Sequence, residues 1–141
     1  MISTALLLLR LCGPNHADLF PHVDRASHRW HVPPAVLVAT ARLESMCTED
    51  ADDGKGDYGV GQIREGTRAA RGHSREELLR ARLNIWLMAR HLRYWQDRCG
   101  DLAASLGIYT GGSKTCSQGR RSKRARDVLR LVREAEGAPR T

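Results

Sequence analysis

The sequence predicts a mainly α-helical, single-domain protein with one short glycine-rich β-turn or hairpin segment. Three observations predict this class. Apolar residues recur at the helical period in several long stretches. Proline, serine and glycine stand where such stretches should start or stop. No run of apolar–polar alternation is long enough for a substantial strand, and no internal repeat is present. The chain has 141 residues, the size of one domain. An apolar content of 41% excludes a disordered tail.

The elements follow in order. Met1 to Leu11 reads MISTALLLLRL. Its apolar run is too short to span a bilayer. It lacks a basic leader and Arg10 interrupts it, so it is either an atypical export signal or a short helix on the domain. Residues 1–17 are therefore set apart as an N-terminal segment. Asp18 to Trp30 carries Leu19, Val23, Ala26 and Trp30 near helical spacing. His31-Val32-Pro33-Pro34 breaks that helix, and Pro34 suits the first turn of the next. The second helix runs to about Met46. It is apolar all round from Val36 to Ala39, which predicts burial. Cys47 to Asp57 is an acidic, glycine-bearing loop, and Tyr58 to Ile63 reads YGVGQI, the expected turn or hairpin. Ser74-Arg75-Glu76-Glu77 is a capping-box start. One long helix is expected from there to about Cys99, with Ile85, Met88, Ala89, Leu92 and Trp95 as its apolar stripe. Leu102 to Tyr109 is a short helix closed by Gly111-Gly112. Gln118 to Arg126 is strongly basic and leads into a last helix through Val128, Leu129 and Val132. The domain is expected over 18–136, with 137–141 as a frayed tail.

The formal charge is +7 and the pI about 9.8. That excess favours an anionic partner: nucleic acid, anionic lipid or the acidic bacterial wall. The basic stretch Arg120, Arg121, Lys123, Arg124 and Arg126 has no interleaved aromatics, which argues against single-stranded nucleic acid. The four cysteines, Cys12, Cys47, Cys99 and Cys116, contain no CxxC pair, against a zinc ribbon or a redox motif. Two disulfides or four buried thiols both remain open. Cys99–Cys116 is the favoured bond, because it closes a short loop around a glycine-rich stretch, and Cys12–Cys47 is its complement.

Three short features carry chemistry. Glu44-Ser45 ends an apolar helix. A carboxyl there loses solvent, which disfavours its charged form and raises its pKa. A glycosidase acid needs that property. In Gly59-Val60-Gly61-Gln62-Ile63, small residues permit close backbone approach to a ligand, and Gln62 can hydrogen-bond a sugar. Tyr109-Thr110-Gly111-Gly112 puts a phenol at a helix end before a turn. Alone, each also fits a surface carboxylate, an ordinary turn or a core tyrosine. Glu49, Asp50, Asp52, Asp53 and Asp57 follow Glu44 closely. Asp57, next to the YGVGQ segment, is the candidate second carboxylate that would position a water. A calcium loop starting at Asp50 is disfavoured, since positions 5 and 12 would be Gly54 and Gly61.

The order ARLES (41–45), GVGQI (59–63), NI (84–85) and IYTGG (108–112), preceded by VPPAVLVAT, resembles the soluble lytic transglycosylase (SLT) domain, a branch of the lysozyme-like superfamily. The resemblance covers about residues 18 to 112. It implies a lysozyme-like fold with Glu44 as acid and then base. Ser45, Gln62, Tyr109, Tyr58 and Thr110 are the implied glycan contacts, and Asn84 the tie between its helix start and the active-site loop. The implied reaction cuts the β-1,4 bond between N-acetylmuramic acid and N-acetylglucosamine and closes a 1,6-anhydro ring. The sequence departs from the pattern at Thr110 (usually Asn), Gly61 (commonly Met) and Met46 (usually a small residue). A hydrolytic muramidase of the same fold and a non-catalytic wall-binding module are the alternatives. No cofactor or metal is expected, and no nucleic acid. The expected partner is the peptidoglycan strand. The protein is expected to act as a monomer, in the cell envelope, outside the cell, or delivered as a phage lysin.

Overall fold

The computed structural model describes residues 2–137. It is mostly helical, with one two-stranded antiparallel hairpin. The expected tail beyond Gly137 lies outside the described residues.

Thr4–Cys12 forms α1, started by the Ser3 hydroxyl, which accepts from the Leu6 amide. Leu7, Leu8 and Leu11 are buried, so the N-terminal apolar run is part of the core. The next helix starts later than its periodicity suggests. Pro14–Leu19 is a 3-10 turn, and α2 runs Phe20–Trp30 with Pro21 in its first turn. Proline both stops regular helix before it and suits the first turn after it. Pro34–Ser45 is α3, buried from Ala35 to Ala41. It packs between α1, α2 and the last helix.

The chain leaves α3 through two successive residues in the left-handed region, Met46 (φ 53°) and Cys47 (φ 64°). Glycine would adopt the first at little cost, and each costs about 1–2 kcal/mol for another residue. The Cys12–Cys47 disulfide holds this exit, with its Cα atoms 5.7 Å apart. A bond spanning 35 residues is worth about 4 kcal/mol in the chain-entropy account, enough to offset the strain.

Asp57–Tyr58 (β1) pairs with Ile63–Arg64 (β2), with Tyr58 opposite Ile63. The single long helix expected after Ser74 is in fact two. The capping box at Ser74 and Glu77 is present, but it starts only α4, Arg75–Leu78. Arg80 is extended, and α5 runs Ala81–Cys99. No glycine or proline marks the break. What stabilises it is a side chain six residues on: the Leu78 carbonyl, freed at the end of α4, accepts from Asn84 Nδ2 at 2.7 Å. Leu102–Gly111 is α6. The basic stretch then hides a short helix, α7 (Cys116–Arg120), before α8 (Lys123–Ala135). Cys99–Cys116 bonds the end of α5 to the start of α7. The core is one cluster in which α5 packs on α2 and α6, while α6 packs on α7 and α8. No helix among the described residues is long and apolar enough to cross a membrane.

Candidate active site

Glu44 is the penultimate residue of α3. The apolar helix carries it to the wall of a cleft of about 740 Å³. Its side chain is 13% exposed. Burial pushes its pKa up to about 7, against the pull of the Arg124 guanidinium. Burial prevails because the ion pair is loose. Arg124 Nη2 stands 3.4 Å from Glu44 Oε1, longer than the 2.7–2.9 Å of a tight charge-assisted bond. Glu49 is also raised to about 7, but it lies outside the cleft lining and its chief cause is a hydrogen bond with Asp18 rather than burial. Among the described residues, only Glu44 combines a raised pKa of that size with a cleft.

The structure brings Asp57, Gln62, Tyr109 and Thr110 into the same cleft. It leaves Ser45 and Tyr58 out of the lining. The Ser45 hydroxyl donates to the Val60 carbonyl at 2.7 Å and accepts from the Thr48 amide at 3.1 Å. Its single hydrogen thus pins the hairpin loop to the end of α3 and is not directed at the Glu44 carboxylate. The Tyr58 carbonyl accepts from Asn84 Nδ2, and its ring lies under Arg75.

Gln62 (φ 51°) directs its amide NH2 at the carbonyls of Gly59 (3.0 Å) and Ala51 (3.3 Å). Both partners are acceptors, so its Oε1 is the atom left for a ligand. The Tyr109 hydroxyl donates to the Gly61 carbonyl at 2.7 Å. Burial, then the charges of Glu44 and Asp57, raise its pKa and keep the phenol protonated.

The glycines of the loop make room for protein groups rather than for ligand. A Cβ on Gly59 would stand 2.3 Å from Asn84 Nδ2 and 2.6 Å from the Leu78 carbonyl oxygen, at a φ of +79°. One on Gly61 would stand 2.6 Å from the Tyr109 hydroxyl. Asn84, fully buried, donates to Tyr58 and Leu78 and accepts from the Gly61 amide. The tie expected of Asn84 is therefore the hub of the loop, and bare backbone at 59 and 61 lets α5 and α6 approach it.

Asp57 sits beside Glu44's cleft wall with both oxygens accepting from Arg64, at 3.1 and 2.9 Å. Burial and a hydrogen bond with Asp53 raise its pKa, against Arg64. Thr110 directs its hydroxyl back to the Leu106 carbonyl and offers its own carbonyl to Arg124 Nε.

Arg124, His91, Trp95 and Arg68 were not singled out as site residues by sequence. Arg124 lay hidden in the basic run, which is largely engaged within the molecule. Arg120 bonds Asp101, Lys123 bonds Asp127, and Arg126 donates to the Arg121 carbonyl. Gly111 carries no Cβ that would strike the Ser122 hydroxyl at 2.6 Å, so the start of α8 closes on α6 and sets Arg124 over Glu44.

The arrangement is a helical domain that presents a buried carboxyl, protonated near neutrality, to an open groove able to receive a polymer. The sequence matches the transglycosylase SLT domain over residues 21–130, and the chain belongs to that family. Its fold is lysozyme-like, and its general function is that of a lytic transglycosylase-type domain acting on peptidoglycan. No curated protein matches the chain significantly.

Proposed function

We propose that this protein is a lytic transglycosylase that cleaves the β-1,4 bond between N-acetylmuramic acid and N-acetylglucosamine with Glu44 as general acid and base. Protonated Glu44 gives its proton to the glycosidic oxygen as the C1–O4 bond breaks. The carboxylate then takes the proton of the muramoyl O6 hydroxyl as O6 bonds to C1 and closes the 1,6-anhydro ring. The proton gained balances the proton given, and no water enters. Gln62, Tyr109 and Thr110 hold the glycan and the loop, while Ser45 and Tyr58 serve by shaping the loop. The observation that carries the reading is a carboxyl raised to about 7 by burial on the wall of the cleft. The two disulfides fit an oxidising compartment, so the place of action is the envelope or the exterior, reached by export or as a phage lysin. The working unit is a monomer.

A hydrolytic muramidase is the second reading, favoured by one observation: Asp57 lines the cleft with a raised pKa. Against it, Arg64 already occupies both Asp57 oxygens. Digestion of purified peptidoglycan in ¹⁸O-labelled water separates the two. We expect 1,6-anhydro ends without label, and Asp57→Asn should keep activity within about tenfold of wild type, since no water needs activation. Labelled reducing ends, with Asp57→Asn as inactive as Glu44→Gln, would establish hydrolysis instead.

A further inference from the structure

Glu44 and its loop account for one side of the cleft; the His91 side is not used by that chemistry. There α5 presents an aromatic wall. The His91 ring lies 5.9 Å from Tyr109, stacks parallel to Tyr94 at 6.2 Å, and meets Trp95 edge-on. Trp95 Nε1–H donates to His91 Nε2 at 3.1 Å. That bond makes Nε2 an acceptor and places the ring proton on Nδ1. Nδ1 is buried and has no hydrogen-bond partner among the described residues. Burial, with Arg68 and Arg90 nearby, lowers the His91 pKa to about 4, so the ring is neutral at neutral pH.

Three arginines gather at this wall. Arg68 lines the cleft, with its guanidinium carbon 4.8 Å from the Tyr94 ring centre. Arg90, one residue before His91, lies behind the cleft lining with its guanidinium carbon 5.8 Å from the Trp30 ring centre, and both Arg71 and Arg68 repel it. No hydrogen bond or ion pair to an acid engages the guanidinium of Arg68, Arg71 or Arg90 among the described residues. Arg64, on the same cleft, contrasts with them, because Asp57 neutralises it. Cationic groups held together without a counter-charge lower the potential energy of an anion placed between them, and Arg offers a planar fork that fits a carboxylate.

We propose that Arg68, with the positive charge of Arg90 behind it, forms an anion subsite beside the His91 ring that takes a carboxylate carried by the wall strand. This rests on the glycan reading above. Two sources supply such a carboxylate: the lactyl group of a peptide-free muramic acid, and the peptide stem of an intact strand. The subsite selects muramic-acid glycans over neutral chitin-type sugars, a discrimination that the Glu44 chemistry alone does not provide.

The test uses calorimetric binding to full-length Glu44→Gln protein, so that no ligand is consumed. The probes are a neutral chitooligosaccharide, a peptide-free glycan strand with free lactyl carboxylates, and a peptide-bearing strand. Adding Arg68→Gln should weaken binding of a carboxylate-bearing probe about tenfold or more, the effect of a lost hydrogen bond to a charged group. Binding of the chitooligosaccharide should stay within about twofold. Arg68 is exposed, so the substitution tests the ligand rather than the fold. Arg133→Gln on α8 removes the same charge far along the chain and should change no probe's affinity. Loss on the peptide-free strand assigns the lactyl group, and loss only on the peptide-bearing strand assigns the stem. An equal loss on all three probes, a matching loss from Arg133→Gln, or no loss on either charged strand overturns the subsite while leaving the glycan reading intact. Should no probe bind the Glu44→Gln protein at all, both fail.

Discussion

Glu44→Gln will lower peptidoglycan cleavage by at least about 10²–10⁴-fold while leaving the protein folded and able to bind glycan. The amide keeps the shape of the side chain but neither gives nor takes the proton, and the other two carboxyls lining the cleft are engaged: Asp57 is bound at both oxygens by Arg64, and Asp53 accepts from the Lys55 and Asp57 amides, its pKa lowered to about 2 chiefly by a hydrogen bond with Asp57. Stability should move the other way. The folded carboxyl titrates near 7 and the unfolded one near 4.5, so the folded state holds the extra proton between those values. The contribution is fully present below about pH 4.5 and is lost as pH rises through about 7. The difference amounts to about 3 kcal/mol. Wild type and Glu44→Gln should therefore unfold alike at pH 4, whereas at pH 8 the variant should be more stable by up to that amount. Urea titrations at the two pH values read the effect directly. A variant that gains nothing at pH 8 would mean that the carboxyl is not desolvated as described.

Gly107→Ala should give the largest loss of stability from a single added methyl group. A Cβ there would stand 2.0 Å from the Gly119 carbonyl oxygen and 2.4 Å from its Cα. These are backbone atoms, so no side chain can rotate away. Nor can α7 withdraw freely, because Cys99–Cys116 bonds it to α5 and a Cβ on Gly119 would itself meet the Ala104 carbonyl oxygen at 2.4 Å. Overpacking of this kind costs about 3 kcal/mol. The melting temperature should fall by about 10 °C, with the urea midpoint lowered and its slope unchanged. Gly112→Ala is the comparison. Its Cβ would meet nothing within 4 Å, and only the φ of +66° opposes it, so its cost should be about 1 kcal/mol. Equal effects from the two would refute the close crossing of α6 and α7.

What sequence made legible was what local chemistry governs. The burial of Val36 to Ala39 followed from an apolar stretch with no polar face, and the Ser74 capping box followed from residues three apart. Both disulfides match the anticipated pairs, Cys99–Cys116 from the glycine-rich loop it closes and Cys12–Cys47 as its complement. The motif order brought Glu44, Gln62, Tyr109 and Thr110 together before any coordinates did so. Long-range bonds were illegible. The break between α4 and α5 has no breaker residue; Asn84 reaches back six residues to Leu78, and is itself fixed there by the distant loop at Tyr58 and Gly61. The glycines of the loop looked like room for a ligand, whereas Asn84 and Tyr109 fill that room. Arg124 was indistinguishable from its neighbours in a charge run, because only the approach of α8 to α6 sets it over the acid. Ser45 was expected at the glycan, but its one hydrogen goes to the Val60 carbonyl, fifteen residues along the chain.

The central claim is that burial holds the Glu44 carboxyl protonated near neutrality so that it can act as an acid. The most direct measurement is a titration of its side-chain ¹³Cδ resonance, assigned by comparison with Glu44→Gln. The account predicts a midpoint near 7, coincident with the alkaline fall of kcat/KM on peptidoglycan strands. A midpoint near 4.5, the ordinary value for a glutamate, with activity still falling near 7, would contradict it and assign the acid to another group.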